Sequence, residues 1–174
     1  TALYEGARRR VARWIGATSV REVLFTKNVT EGLNLVAQAW GRANLARGDA
    51  ILLTEMEHHA NIVPWLMLKE ALGIEIRYIG LTEDGRLDLN QLDRLVDGVK
   101  LVGVTAVSNV LGTINPVREI ANAAHAEGAV VVVDGTQLTP HAPTAVQDLG
   151  ADFYGFTGHK MLGPTGIGVM WGRE

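Results

Sequence analysis

Cysteine is absent from the 174 residues. Within this chain that excludes disulfides, thiolate metal sites and a thiol nucleophile. No apolar run approaches the ~18–20 residues needed to cross a bilayer. Positive charge is not in surplus: sixteen Lys and Arg against nineteen Asp and Glu give a net charge of −3 and a pI near 5.9. Such a balance offers no basic field for a nucleic-acid partner. The one basic cluster, Arg8-Arg9-Arg10 with Arg13, falls in a helical pattern in which Leu3, Ala7, Val11 and Trp14 share a face. It reads as a solvated helix surface. The first residues, Thr1 to Glu5, show neither an initiator Met nor a basic start followed by an apolar core. No signal peptide is expected, and the reading is a cytoplasmic chain without a membrane partner.

What is present is an alternation. Short, β-branched apolar runs occur at Glu22–Phe25, Ala50–Leu53, Glu75–Ile79, Leu101–Val107, Ala129–Val133, Phe153–Phe156 and Gly166–Trp171. Amphipathic stretches lie between the first five, at Thr30–Ala46, Ala60–Leu72, Leu89–Val96 and Pro116–Glu127. This order predicts an α/β fold: a mostly parallel seven-stranded sheet with helices on both faces. A run such as Ala129-Val130-Val131-Val132-Val133 is apolar throughout, as a strand buried on both sides requires. The last two strands are separated by a Gly-rich loop too short for a helical crossover, so the last strand is expected to run antiparallel. No repeat or linker divides the chain, and residues 1–174 read as one domain. It ends just after a strand, and the expectation is a core truncated on both sides.

In open α/β sheets ligands gather at the carboxyl ends of the strands, so the polar residues following each apolar run carry the functional information. After the first run, Thr30 is either a simple helix N-cap or part of a phosphate site at a helix N-terminus, where free N–H groups and the dipole favour an anion. After the second comes Glu55-Met56-Glu57-His58-His59. Adjacent side chains diverge and the i, i+4 His pair of a zinc helix is missing, so a histidine stacked on a flat cofactor fits better than a metal. Asn109 follows the fourth run. Asp134 and Gln137 follow the fifth, and an aspartate directly after four valines is either a turn cap or the partner of a cationic ring nitrogen. Thr157, His159 and Lys160 follow the sixth. Lysine among Gly and apolar residues is expected to be desolvated, which frees its amine to attack a carbonyl. The glycines Gly163, Gly166 and Gly168 run GxxGxG before a strand, which fails the dinucleotide fingerprint in both order and context. A Schiff-base lysine, an acid for a ring nitrogen, a ring to stack on and an anion site are together what pyridoxal 5'-phosphate asks of a protein.

The strings MEHHANIVPW (Met56 to Trp65), VSNVLGTINP (Val107 to Pro116), VVDG with Gln137, and FTGHKMLGPTGIG (Phe156 to Gly168) resemble the SufS-type cysteine desulfurases. These are class V aminotransferases with the type I pyridoxal-phosphate fold. The resemblance implies a large, cofactor-binding domain, with a small C-terminal domain absent. It implies catalytic roles for Lys160, as the aldimine lysine and proton shuttle, and for His58, stacked on the ring. Asp134 would pair with the ring nitrogen, Gln137 would bond the phenolic oxygen, and Asn109 would lie near it and the substrate. Thr30, Thr157 and His159 would hold the phosphate. Val29 stands where relatives often have a second threonine, so one phosphate contact is expected to be missing; Thr157 replaces a commoner serine and keeps the hydroxyl.

The implied parent enzyme takes sulfur from L-cysteine, leaves alanine, and passes the sulfur on as a persulfide for iron–sulfur cluster assembly. It acts as a homodimer and serves a sulfur-acceptor protein. The family's catalytic cysteine and its substrate-gripping arginine lie beyond this chain, which is therefore expected to bind cofactor yet be inactive alone. A selenocysteine lyase or another class V lyase or aminotransferase would share every residue named, and a non-catalytic truncated scaffold is the reading from a different class.

Overall fold

The computed structural model describes residues 1–174. Seven strands form: β1 (Val23–Thr26), β2 (Ala50–Thr54), β3 (Glu75–Ile79), β4 (Val99–Thr105), β5 (Val130–Asp134), β6 (Phe153–Thr157) and β7 (Gly168–Gly172). They make one sheet in the order β1-β7-β6-β5-β4-β2-β3. The ladders among β6, β5, β4, β2 and β3 are parallel, while β7 pairs antiparallel with both β6 and β1. The predicted sheet, with its antiparallel last strand, is the observed one. Its fourth strand stops at Thr105 instead of Val107, because Val107 turns off to bridge Ile114 at the base of a loop.

The helices are α1 (Ala2–Trp14), α2 (Val29–Val36), α3 (Arg42–Asn44), α4 (Val63–Leu72), α5 (Leu92–Val96), α6 (Val117–Ala126) and α7 (Val146–Leu149). A π turn over Ala37–Gly41 joins α2 to α3. Side chains alternate along a strand, and the valines of β5 divide accordingly. Val132 joins a core with Leu33, Val36, Trp65 and Leu68 of α2 and α4. Val131 and Val133 join the opposite core with Ile120, Ala121 and Ala124 of α6 and Val146 of α7. Helix α4 carries Pro64 in its first turn and stops at Gly73, whose φ of +75° makes the left-handed cap. The fixed φ of proline suits a helix start, and glycine alone takes that cap without a Cβ penalty.

The N-terminal helix departs from its sequence pattern. Leu3 is 91% exposed and Ala7 is exposed as well, so only the later half of the stripe Leu3-Ala7-Val11-Trp14 makes contact: Val11 packs against the core and Trp14 stands edge-on to Phe156 at 5.7 Å. Contact runs also through Tyr4, set edge-on to Phe25 at 5.1 Å, and through the buried Ala12 and Ile15. The helix meets an edge strand through these residues, and nothing packs over its first turn at Leu3. Arg9 and Arg10 are solvated as expected, whereas Arg8 lies over the Tyr4 ring and faces Glu5. Gly6 in this helix has nothing within 4 Å of a built Cβ. Gly6→Ala is therefore expected to stabilise the fold by about 0.5–1 kcal/mol, read as a higher thermal midpoint, because it removes the entropic cost of a mid-helix glycine.

Candidate active site

The carboxyl ends of β2, β4, β5 and β6 open on one side of the sheet, and the cavity lies there. It has a volume of about 230 Å³. Thr30, His58, Asn109, Asp134, Gln137, Thr157, His159 and Lys160 all line it, together with Asn28, Val29, Thr105 and Thr136. The eight residues singled out from the sequence come from five separate strand ends and meet in this one place. Being smaller than the roughly 300–1,000 Å³ of pockets for drug-sized ligands, the cavity suits a single substituted ring. An open cleft lined by Glu55, His59, Leu81, Ser108, Val110 and Leu111 adjoins it, and shares His58 and Asn109.

Two expectations need correction. Thr30 is not the N-cap of α2. Asn28 is, its Oδ1 accepting the Glu31 N–H at 2.9 Å, because Val29 is already helical. Thr30 lies in the first turn and still faces the cavity. Lys160 is not desolvated by this chain. Its loop stands over the cavity with Lys160 exposed, and Leu162 beside it is fully exposed at a φ of 61°.

Asp134 is 3% exposed. Burial pushes its carboxyl above the usual range, against hydrogen bonding from Thr136 and the nearby His58 ring. Its Oδ1 accepts the Thr136 N–H at 3.0 Å, so the turn-cap reading holds. Yet no lysine or arginine of the chain forms an ion pair with it, and a buried carboxylate without an ion-pair partner asks for a cation from the ligand. The Thr136 hydroxyl beside it is buried and makes no hydrogen bond of acceptable geometry. Asp134 is also held from below. Tyr154 packs so closely under Gly135 that a Cβ there would fall 2.0 Å from the ring, and the Tyr154 hydroxyl pairs with Thr139 at 2.8 Å. Burial raises that phenol to about 12.

At the other end of the cavity hydrogen-bonding groups collect. Here the first turn of α2 presents its N–H groups at Val29 and Thr30, and Thr157 Oγ1 lies 3.0 Å from His159 Nδ1. Val29 is 7% exposed and its side chain adds no donor. A buried acid without an ion-pair partner, a lysine side chain, an imidazole and the first turn of a helix thus share one small cavity. That donor set fits pyridoxal phosphate: ring nitrogen, aldehyde, ring face and phosphate.

One buried acid is left without a role by the sequence. Glu57, in a string set aside as a metal site, turns inward and is 8% exposed. Its carboxyl accepts from Thr54 Oγ1, Asn61 Nδ2 and the Thr105 N–H, while Asn61 Oδ1 accepts the Trp65 indole. The spacing Glu57-Asn61-Trp65, four residues apart twice, was the available signal. His58 and His59 diverge, with ring centroids 6.1 Å apart and planes at 51°.

A family model for aminotransferase class-V matches residues 1–174. The chain belongs to the aminotransferase class-V family. A probable cysteine desulfurase of Halalkalibacterium halodurans is 49% identical over 172 residues, covering 98% of this chain and 42% of that protein. A cysteine desulfurase of Haloferax volcanii is 52% identical over 173 residues, covering 98% and 41%. The crystal structure of the cysteine desulfurase CsdA from Escherichia coli superposes with a TM-score of 0.95 at 39% identity, covering 99% of this chain and 43% of that one. The chain thus spans about two fifths of the length of the relatives it matches.

Proposed function

We propose that the cavity holds pyridoxal 5'-phosphate and that the protein containing this chain is a cysteine desulfurase. It converts L-cysteine to L-alanine while an acceptor thiol becomes a persulfide. The observation that carries the reading is Asp134, buried without a cation in the same small cavity as Lys160. Bound pyridoxal phosphate supplies an electron sink for the charge left at the substrate α-carbon. Asp134 would accept the ring N–H and keep that nitrogen protonated. His58 would supply a flat face, Gln137 and Asn109 would serve the phenolic side, and Thr30, Thr157 and His159 would take the phosphate. Lys160 Nζ would hold the cofactor's aldehyde carbon and would move the proton of the substrate α-carbon. The adjoining cleft beside His58 and Asn109 admits the amino acid. Since the chain holds no cysteine, the acceptor thiol comes from outside residues 1–174. The family names of its relatives support L-cysteine as the substrate, and iron–sulfur cluster assembly is the destination this chemistry suits. Exposed apolar side chains at Val110 and Ile114, beside the cavity, support a homodimer.

The test is a visible absorption spectrum with added pyridoxal phosphate, then borohydride reduction and peptide mapping. A protein-bound band with the reduced adduct on Lys160, both lost in Lys160→Ala, is the expected result. A folded protein with neither band nor adduct overturns the reading.

A further inference from the structure

The β2/β4 ladder ends at Leu52 opposite Val102, yet β4 runs on to Thr105. The Thr105 N–H therefore has no strand partner on that side, and Glu57 Oε1 accepts it at 2.8 Å. The same oxygen accepts the Thr54 hydroxyl at 2.7 Å, and Oε2 accepts Asn61 Nδ2 at 2.7 Å. The direction of the amide is forced. An indole only donates, so the Trp65 bond to Asn61 Oδ1 at 3.0 Å turns the amide NH2 towards Glu57. Three donors and no cation converge on a buried carboxyl. Beyond Thr105 lies a second one, since Thr105 is paired with Asp134 across β4 and β5.

We propose that Glu57 is a proton-linked positioning residue: it ties the ends of β2 and β4 together, and it releases its proton when a cationic ligand group neutralises Asp134. The ligand's identity, though not the link itself, rests on the pyridoxal-phosphate reading. Burial above all, with a smaller push from Asp134, raises Glu57 to about 8, against the pull of its three donors. Asp134 is the only charged group acting on it from a neighbouring element. Thr54, Asn61, Thr105 and Trp65 are neutral, Glu55 and His59 are exposed, and His58 faces the cavity. Removing a like charge favours the ionised form, so the Glu57 midpoint falls on binding and the proton passes to solvent. Linkage is reciprocal, and ionised Glu57 tightens the hold on the cation.

The Trp65 indole N–H reports Glu57 through Asn61. The cofactor-free protein, labelled with 15N at tryptophan and assigned with Trp65→Phe, is titrated by NMR between about pH 3 and 10, bracketing the reference and shifted values. The Trp65 signal is expected to titrate near 8 and to be flat in Glu57→Gln. With pyridoxal phosphate bound, the midpoint moves to lower pH. Asp134→Asn gives a similar drop without any ligand. A Trp65 signal that does not titrate, or a midpoint indifferent to both the cofactor and Asp134→Asn, overturns the proposal. If pyridoxal phosphate leaves the visible spectrum unchanged, the reading of the cavity fails, and the Asp134→Asn comparison still decides the role of Glu57.

Discussion

Gly168→Ala is expected to cost at least about 3 kcal/mol and to lower the thermal midpoint by roughly 6–12 °C, although it adds a single methyl group. Gly168 starts β7 and is paired on both sides, with Thr26 of β1 and Thr157 of β6. A Cβ there would sit 2.6 Å from the backbone C and Cα of Asn28 and 3.0 Å from its N. These are backbone atoms, and no rotamer relieves them. Either β7 shifts between its two partners and loses ladder bonds, or Asn28 gives way. Asn28 caps α2, whose first turn lines the cavity. The damage therefore reaches both the sheet and the site. Two companions separate crowding from backbone strain. Gly166→Ala meets open space at a φ of +82° and should cost about 1 kcal/mol. Gly32→Ala meets only the flexible Met170 side chain, as close as 2.8 Å, and should cost less than Gly168→Ala. Denaturant unfolding of the three proteins decides it. A Gly168→Ala protein within about 1 kcal/mol of the parent would show that the Asn28 contact relaxes freely.

The order of these effects follows from how local each signal is. Four valines before Asp134 announce a strand buried on both faces and place a carboxyl at its end, and no distant residue is needed to see it. Seven such runs set the sheet, and their ends set the cavity. Signals that depend on partners far along the chain were not legible. Glu57 is understood only through the Thr105 N–H, 48 residues on, which lacks a partner because the β2/β4 ladder stops early. In α1 the stripe of Leu3, Ala7, Val11 and Trp14 makes contact only in its later half, and Tyr4, Ala12 and Ile15, off the stripe, complete the contact. Apolar neighbours in sequence suggested a desolvated Lys160, but Leu162 points outward and covers nothing. Flanking residues bury a side chain only when the loop folds back over it. The cap of α2 was misplaced by two residues because Val29, β-branched, begins the helix all the same.

Asp134→Asn should move stability and cofactor affinity in opposite directions. In the cofactor-free protein the Asp134 carboxyl is buried without a cation, and burial raises it above the ordinary value. For such a group the stabilising contribution is complete below the unfolded value and is lost as pH rises through the folded one. Near neutral pH and above, the ionised carboxylate therefore costs stability. Asparagine keeps an oxygen for the Thr136 N–H and removes the charge, so the cofactor-free variant is expected to gain on the order of 1 kcal/mol at pH 8. The gain shrinks at acid pH, where the parent carboxyl is neutral as well. Pyridoxal phosphate should respond the other way. Loss of the charged partner of a buried ring N–H costs roughly 2–5 kcal/mol, about 30- to 5,000-fold in Kd. Chemical unfolding at two pH values measures the first effect, and titration of the visible band measures the second. A variant that is less stable at both pH values makes Asp134 an ordinary turn cap. Unchanged affinity would place the ring nitrogen elsewhere. Opposite signs from one substitution would be the mark of a carboxylate that the empty fold does not need and the ligand does, since a residue kept for packing or capping loses both together.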